Sequence, residues 1–210
     1  MSRFALSLAA GLLSSLTLAA QAGSIPYGNI GAIAPQSKLT AAATGNITGY
    51  FVMGGAASHG GASFTDTIRL FDATTNTYSA FLFNNQTTTT GTSANFGHVN
   101  PGDTLVFELY DQNINETFAT DALHSADGVN HGYATAFSGG VLNGANIPAG
   151  TYIGMEDLDK SNSDFNYNDD TFVFTNVAAT PTPEPSSLIL LGSGILSAAG
   201  AVRRRFSAAS

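Results

Sequence analysis

The segment “TIRLFDATTNTYSAFLF” (residues 67–83) decides the fold class of this chain. It joins two runs rich in Thr, Phe, Leu and Ile, which pleated strands favour, through a short polar stretch. In that stretch Asp72 and Asn76 can hydrogen-bond to nearby backbone groups, which is typical of a turn. The segment therefore predicts a β-hairpin with strands at 67–71 and 77–83.

The same alternation of β-type runs and turn signals recurs over residues 23–177. The composition agrees, because 23 Gly, 14 Phe and 7 Tyr suit short strands joined by turns. We therefore predict an all-β domain over these residues, built as an antiparallel β-sandwich or jelly-roll-like fold. Further strands are predicted at residues 49–53, 104–110, 133–137, 152–156 and 171–175.

Residues 1–22 have the three parts of a secretory signal peptide. Arg3 provides the positive start, residues 4–18 are apolar, and Ala20 and Ala22 form an A-x-A cleavage site. We therefore expect signal peptidase to cut after Ala22 and the chain to be exported. A retained membrane anchor is the alternative, which the short apolar stretch disfavours.

The other end of the chain also differs from the domain. Residues 178–186 are rich in Pro and predict a linker, and residues 187–210 predict a single sorting helix. The uncharged part, residues 188–202, would be about 22 Å long as a helix, against about 30 Å of membrane hydrocarbon. A basic cluster follows it, made of Arg203, Arg204 and Arg205. We therefore expect transient anchoring in the inner membrane, with the basic cluster on the cytoplasmic side.

A Pro-Glu-Pro triad, Pro183, Glu184 and Pro185, precedes this apolar run and its arginines. The three parts, in this order, resemble the PEP-CTERM sorting signal of exported bacterial proteins over residues 181–206. The resemblance implies that an exosortase in the membrane recognises the signal and cuts near the triad. It also implies a cell-surface or extracellular protein of the kind tied to exopolysaccharide and biofilm production.

The charge of the mature chain restricts its partners. Residues 23–185 contain all 15 acidic side chains and only three cationic ones, Lys38, Arg69 and Lys160, so the formal charge is −12. Such a surface repels phosphates and excludes nucleic-acid binding, whereas it attracts divalent cations. The absence of cysteine excludes disulfides and thiolate metal sites.

One acidic segment is the main chemical lead. Six of the 15 carboxylates lie between Glu156 and Asp170, with Lys160 as the single cation among them. Carboxylates this close repel each other, and a hard cation such as Ca²⁺ removes the repulsion. The candidate ligands are Glu156, Asp157, Asp159, Asp164, Asn166, Asn168 and Asp169.

Two other interpretations of this segment are an EF-hand loop and a purely structural loop. Asp157 and Asp159 match the first ligand positions of an EF-hand loop, but Asn162 and Asn168 stand where that loop needs Gly and Glu, so it is not an EF-hand. The second alternative stays open. Asp and Asn side chains stabilise turns by bonding their own backbone, so the segment can also be a purely structural loop.

The segment also resembles an element of a family of unknown function from secreted bacterial proteins. The family pattern is a strand, “ED”, a variable turn, “D-x-D-Y-N-D” and a final strand; here it reads Glu156-Asp157, residues 164–169 (“DFNYND”) and residues 172–174. The resemblance covers residues 100–176 and implies a β-sandwich with a calcium role. Asn166 replaces an Asp of the family pattern, although an amide oxygen can still bind Ca²⁺.

These observations lead to one functional prediction and two alternatives. We predict a non-enzymatic, exported surface or matrix protein whose β-sandwich is stabilised by Ca²⁺. A carbohydrate-binding module is the first alternative, for which an exposed platform of Tyr78, Tyr110 or Tyr133 would be needed. A glycan-active enzyme is the second, and it would need two carboxylates converging in a cleft.

Overall fold

A computed structural model describes residues 24–54 and 63–181. Across those residues the chain forms strands and turns without a helix, as predicted. The same residues accordingly contain no helix that is long and apolar enough to cross a membrane. The predicted signal peptide (residues 1–22) and sorting helix (residues 187–210) lie outside the described residues.

The strands are numbered here in chain order. They are β1 (Ser37–Ala41), β2 (Gly45–Met53), β3 (Asp66–Asp72), β4 (Thr77–Tyr78), β5 (Leu82–Asn84), β6 (Ser93–Val99), β7 (Thr104–Asp111), β8 (Glu116–Ala119), β9 (Gly132–Phe137), β10 (Gly140–Leu142), β11 (Ala145–Ile147), β12 (Gly150–Met155), β13 (Asp170–Thr175) and β14 (Val177–Pro181).

The strands form two large antiparallel sheets and one small hairpin. The first sheet has the order β14-β1-β7-β3-β4, with β5 also paired to β3 and β8 also paired to β7. The second sheet has the order β6-β2-β13-β12-β9, and β10 pairs with β11. Because β13 belongs to the second sheet and β14 to the first, the chain changes sheets at the single residue Asn176, which has a φ of 62°.

Both sheets contribute side chains to one core. On β3 and β7 alternate residues such as Ile68 and Phe107 are buried, as expected for strands with one inner face. They pack in one cluster with Phe51, Phe172 and Phe174 of the second sheet. The ring centroids of Phe107 and Phe174 are 3.9 Å apart. The sheets therefore pack face to face, which is the sandwich arrangement that the sequence predicts.

The structure contains four strands that the sequence did not predict, β6, β8, β10 and β11, and it differs from the prediction at two further places. Residues 77–83 are not one strand, because β4 and β5 are separated where the Ser79 amide and hydroxyl both bond to the Leu70 backbone. Residues 178–181, predicted as the start of the linker, instead belong to β14 and pair with β1. The two alanines and the proline of β14 disfavour a strand, and pairing with β1 outweighs this low propensity.

Candidate functional site

The acidic segment forms the connection between two neighbouring strands. Strands β12 and β13 are antiparallel partners in which Met155 stands opposite Asp170. The segment leaves and re-enters the sheet at this point, so Glu156 and Asp157 come close to Asp169 and Asp170. Its two ends are buried or half-buried, whereas its middle is mainly at the surface.

In the middle of the segment, the candidate ligands form hydrogen bonds within the loop itself. Asp159 accepts hydrogen bonds from the amide and hydroxyl of Ser161. Asp164 accepts from the amide of Asn166 at 3.1 Å, and Asn166 accepts from the amide of Asn168 at 2.9 Å. These are side-chain turns within the loop. Asp159, Asp164 and Asn166 thus behave as expected for a purely structural loop. Half-buried Asn168 belongs to the same series of turns.

Glu156 fixes the path of the loop from inside. Its carboxylate accepts hydrogen bonds from the Tyr167 amide and the Ser163 hydroxyl. Phe165 and Tyr167 have φ values of 47° and 58°, a conformation that bulky residues seldom adopt, and both side chains are buried. Burial, with the charge of Asp169 as the next cause, raises the pKa of Glu156 to about 7.

Asp157 and Asp169 form a close acidic pair at the base of the loop. The backbone amide of Asp157 donates to Oδ2 of Asp169 over 3.3 Å. Burial is the main cause that raises the pKa of Asp157 to about 7 and that of Asp169 to about 8. The next cause for Asp157 is the charge of Asp66, which comes from the other sheet.

Three more aspartates, which the candidate ligand set omits, complete this group. Asp66 of β3 stands directly opposite Asp111 of β7, and Asp170 begins β13. All three are fully buried. Burial first, and the charge of Asp111 second, raise the pKa of Asp66 to about 7. Burial and the charge of Asp66 raise the pKa of Asp170 well above its usual value.

Asn85 ties two of these aspartates together across the sheets. Its amide nitrogen donates to Asp66 Oδ2 at 2.8 Å and to Asp170 Oδ2 at 3.3 Å. Its own oxygen accepts from the Asp66 amide at 2.9 Å. Asn85 directly follows β5 of the first sheet. Its side-chain amide reaches Asp170, which is the first residue of β13 in the second sheet.

We call the five residues Asp66, Asp111, Asp157, Asp169 and Asp170 the carboxylate cluster. Four of its buried oxygens accept no hydrogen bond from the described part of the protein: Asp66 Oδ1, Asp111 Oδ2, Asp157 Oδ2 and Asp170 Oδ1. Buried polar atoms in proteins almost always have a partner, so four orphaned oxygens in one cluster call for an explanation. A cluster with this many acceptors needs protons or a cation.

The cationic side chains of the described residues make their contacts elsewhere. Arg69 is 2.7 Å from Glu108 on the outer face of the first sheet. Lys160 donates to the backbone oxygen of Asp127 at 2.8 Å, and buried His131 also contacts Asp127, at 3.0 Å. In residues 24–54 and 63–181, no group of three or more His, Cys, Asp or Glu side chains has an arrangement that could hold a metal ion.

A signal for the missed residues is present in the sequence. Asp66 is in phase with Ile68 and Leu70, so the alternation of β3 places it on the inner face with them. Asp111 is in phase with Phe107 and Leu109 in the same way. An aspartate on the inner side of a strand is unusual enough to mark a site.

The C-terminal tail of the chain is similar to a known family of sorting signals. Residues 181–205 match the model of the PEP-CTERM protein-sorting motif. This chain carries a PEP-CTERM sorting signal. The match contains the predicted sorting residues Pro183, Glu184, Pro185 and Arg203–Arg205, which lie outside the described residues, and it begins at Pro181, the last residue of β14.

The PEP-CTERM signal implies an exported protein that is sorted by exosortase to the cell surface or the extracellular space. No curated protein and no solved structure matches the chain. The destination of the protein is thus set by its tail, and its activity has to be inferred from the geometry of the domain.

Proposed function

We propose that the mature domain is a non-enzymatic component of the cell surface or extracellular matrix, made rigid by Ca²⁺ at the acidic end of the sandwich. The observation that carries this proposal is that Glu156, Asp157 and Asp169 lie together in buried or half-buried positions, and that no salt bridge among the described residues pairs them with a cationic side chain. Each has a pKa raised to about 7 or 8 because burial and the neighbouring carboxylates disfavour its charge.

Calcium fits this position better than other ions do. Carboxylate and carbonyl oxygens are hard donors, which Ca²⁺ binds with flexible geometry. The mature chain has no thiol and a formal charge of −12, so its field concentrates divalent cations at the surface. Extracellular calcium modules commonly have Kd values on the order of 10⁻⁴–10⁻³ M, which suits an exported protein.

The position of the acidic groups favours a structural role over catalysis. A glycan hydrolase needs two carboxylates that converge on a substrate in an open cleft. The converging aspartates here are buried within the sandwich. Two surface cavities of about 210 and 250 Å³ contain one carboxylate each, Asp72 in the first and Asp121 in the second. Neither cavity supplies the acid and base that hydrolysis requires.

Carbohydrate binding is a second candidate, favoured by one surface. On the outer face of the first sheet the exposed fraction is 51% for Tyr78 and 41% for Phe81. The Arg69 guanidinium carbon lies 4.2 Å and 4.7 Å from the centroids of these two rings, and Phe81 is 5.5 Å from Tyr110. Tyr133 instead packs on Tyr27 elsewhere in the domain. A neutral exopolysaccharide is the partner that this aromatic surface and the acidic chain would accept.

Thermal unfolding with and without Ca²⁺ tests the main proposal. The full-length protein, purified in mild detergent and stripped with EGTA, should gain about 2.7 kcal/mol of unfolding free energy when Ca²⁺ is at 100 times its Kd. The gain should reverse on adding EGTA. An unchanged melting temperature at millimolar Ca²⁺ would leave the acidic segment as a structural loop.

A further inference from the structure

We propose that the ion lies between the two sheets and is held by the carboxylate cluster, and that the exposed middle of the acidic loop is not part of the site. This inference rests on the proposed calcium function and names its ligands. Asp66 and Asp111 bind from the first sheet, and Asp157, Asp169 and Asp170 bind from the second. Asn85 positions Asp66 and Asp170.

Buried oxygens of the cluster lack hydrogen-bond donors in the part of the chain that the structure describes. Asp66 and Asp170 are fully buried, and each has one oxygen to which no N–H or O–H group of the described residues donates. The other oxygens of Asp66 and Asp170 accept from one and the same Asn85 amide nitrogen, and the Asp157 amide donates to Asp169, so the carboxyl groups lie close to one another. Two carboxylates can remain so close only when a proton or a cation lies between them.

The backbone makes room for the Asp170 carboxyl at Gly54. Asp170 Oδ1 lies only 2.1 Å from the place where a Cβ at Gly54 would be. Asn85 Cβ is 2.9 Å from the same point. Any side chain at residue 54 would therefore displace the Asp170 carboxyl. The absence of a side chain there allows Asp170 to point toward Asp66 of the facing sheet.

The oxygens of the exposed loop already accept hydrogen bonds, whereas four oxygens of the cluster accept none within residues 24–54 and 63–181. The oxygens of Asp159, Asp164 and Asn166 already accept hydrogen bonds from loop amides. An ion bound to them would have to compete with those amides and with water. The four orphaned oxygens of the cluster are buried and accept no hydrogen bond from the described residues, so they gain more from an ion.

When Ca²⁺ binds to the cluster, it replaces the protons that the carboxyl groups share. Ca²⁺ takes 6–8 oxygen ligands at about 2.3–2.6 Å, a number that five carboxylates can largely provide. Binding requires the carboxyl groups to rotate toward the ion, and it releases into solvent the protons that they share. The amide of Asn85 keeps its bonds to Asp66 and Asp170 and holds both oxygens in place, as outer hydrogen bonds do around other metal sites.

The consequence is a cross-link between distant parts of the chain. Asp66 begins β3 and Asp170 begins β13, so one ion would join the two sheets at the same end of the sandwich. Such a bond forms only after both sheets are in place. Calcium would therefore close the domain where the ion is plentiful, outside the cell.

Calorimetric titration of Ca²⁺ into the EGTA-stripped full-length protein tests the ligand set. Asp66→Asn and Asp170→Asn should each weaken Ca²⁺ binding by at least 10- to 100-fold, the range for disturbed metal sites. Asp159→Asn and Asp164→Asn should keep the wild-type affinity. Asp121→Asn, at a half-buried carboxylate bonded to His124, is the matched control outside both groups.

The outcomes separate the two proposals. If the wild-type chain binds no Ca²⁺, the proposed function fails. If it binds Ca²⁺ and loses it in Asp159→Asn or Asp164→Asn but not in the cluster variants, the function stands and the inferred site is wrong. Each cluster variant should unfold no earlier than wild type without Ca²⁺, because it removes a repelled charge, and this checks that it folds.

A second measurement needs no variant. Eu³⁺ can replace Ca²⁺, and its luminescence lifetimes in H₂O and D₂O count the water molecules bound to the ion. A buried site should leave about two waters or fewer, because protein oxygens fill most of the 6–8 positions. An ion that keeps four or more waters would be bound at the exposed loop and would overturn the inference.

Discussion

The buried carboxyl groups of Asp66 and Asp170, one from each sheet, accept hydrogen bonds from the same Asn85 amide nitrogen, at 2.8 Å and 3.3 Å. Each begins a strand, β3 in one sheet and β13 in the other. Two buried carboxyl groups this close need a shared proton or, under the calcium proposal, an ion that both of them bind. We therefore expect pH and Ca²⁺ to act in opposition on this end of the core.

The first prediction concerns the pH dependence of stability without metal. The folded protein raises the pKa of Asp66 and Asp157 to about 7 and that of Asp169 to about 8, whereas the unfolded chain loses these protons near pH 4. Between those values the folded state holds more protons, so its stability falls as pH rises. In EGTA, the melting temperature should drop between about pH 6.5 and 8.5, and saturating Ca²⁺ should flatten the curve.

The chosen pH range avoids two opposing groups. Burial lowers the pKa of His131, which makes the fold gain stability as pH rises toward 6.5. The pKa of Asp127 is also lowered, because the Lys160 amide and His131 outweigh its burial, and its effect ends near pH 4. A melting temperature that is constant or rises across the measured range in EGTA would contradict the buried, protonated cluster.

The second prediction concerns the glycine beneath Asp170. Gly54→Ala should lower the unfolding free energy by about 1–3 kcal/mol, as overpacking of an interior does, and should weaken Ca²⁺ binding. Urea unfolding and calorimetry measure the two effects. Gly28→Ala is the control, since a Cβ there meets nothing within 4 Å. Equal behaviour of the two variants would mean that Asp170 does not depend on the space at Gly54.

The third prediction tests the packing of the two sheets. Phe107→Ala should lower the unfolding free energy by about 3–5 kcal/mol, because it removes the ring that stacks on Phe174 at 3.9 Å. Leu123→Ala, at a side chain with a 91% exposed fraction, should change it by less than about 0.5 kcal/mol. If chemical denaturation gives similar losses for both variants, the two sheets do not share this core.

The fourth prediction concerns processing of the PEP-CTERM signal. Mass spectrometry of the mature exported protein should find a chain that ends near Pro185 and lacks Arg203–Arg205. Replacing Pro183, Glu184 and Pro185 by alanine should leave the uncut chain in the membrane fraction, whereas Thr180→Ser just upstream should not. Intact Arg203–Arg205 in the mature wild-type protein would refute cleavage.

The fifth prediction separates the carbohydrate alternative from the main proposal. If the aromatic surface binds neutral exopolysaccharide, Tyr78→Ala should weaken binding by about three- to tenfold, the value of one aromatic contact. Ile30→Ala, at an exposed apolar residue elsewhere, should have no effect. Retention on immobilised exopolysaccharide measures both. Equal retention of Tyr78→Ala and wild type would remove this surface as a glycan site.

The fold class could be predicted from the sequence because the strands carry it locally. Alternation in residues such as Ile68 and Leu70 identifies β3, and the polar stretch after it identifies the turn. Strand β14 could not be found in this way. Two alanines and a proline lower the strand propensity of Val177–Pro181, and these residues form a strand because β1 lies beside them in the folded sheet.

The candidate site could be predicted only in part, for a similar reason. Glu156, Asp157 and Asp169 belong to one dense acidic segment, and the sequence shows them together. Asp66 and Asp111 are remote in sequence from that segment, and only the packing of the sheets brings them to it. Sequence density also cannot distinguish a carboxylate bonded to its own loop, such as Asp159 or Asp164, from one turned inward.

The central claim, a Ca²⁺ ion held within the sandwich, can be tested on the native protein without any variant. The exported, processed protein should be recovered from the producing cells and dialysed against metal-free buffer, and its calcium content should be determined by atomic emission. At least about one retained Ca²⁺ per chain is expected, with its removal by EGTA lowering the melting temperature. A chain that retains no calcium and melts at the same temperature in millimolar Ca²⁺ as in EGTA would contradict the account.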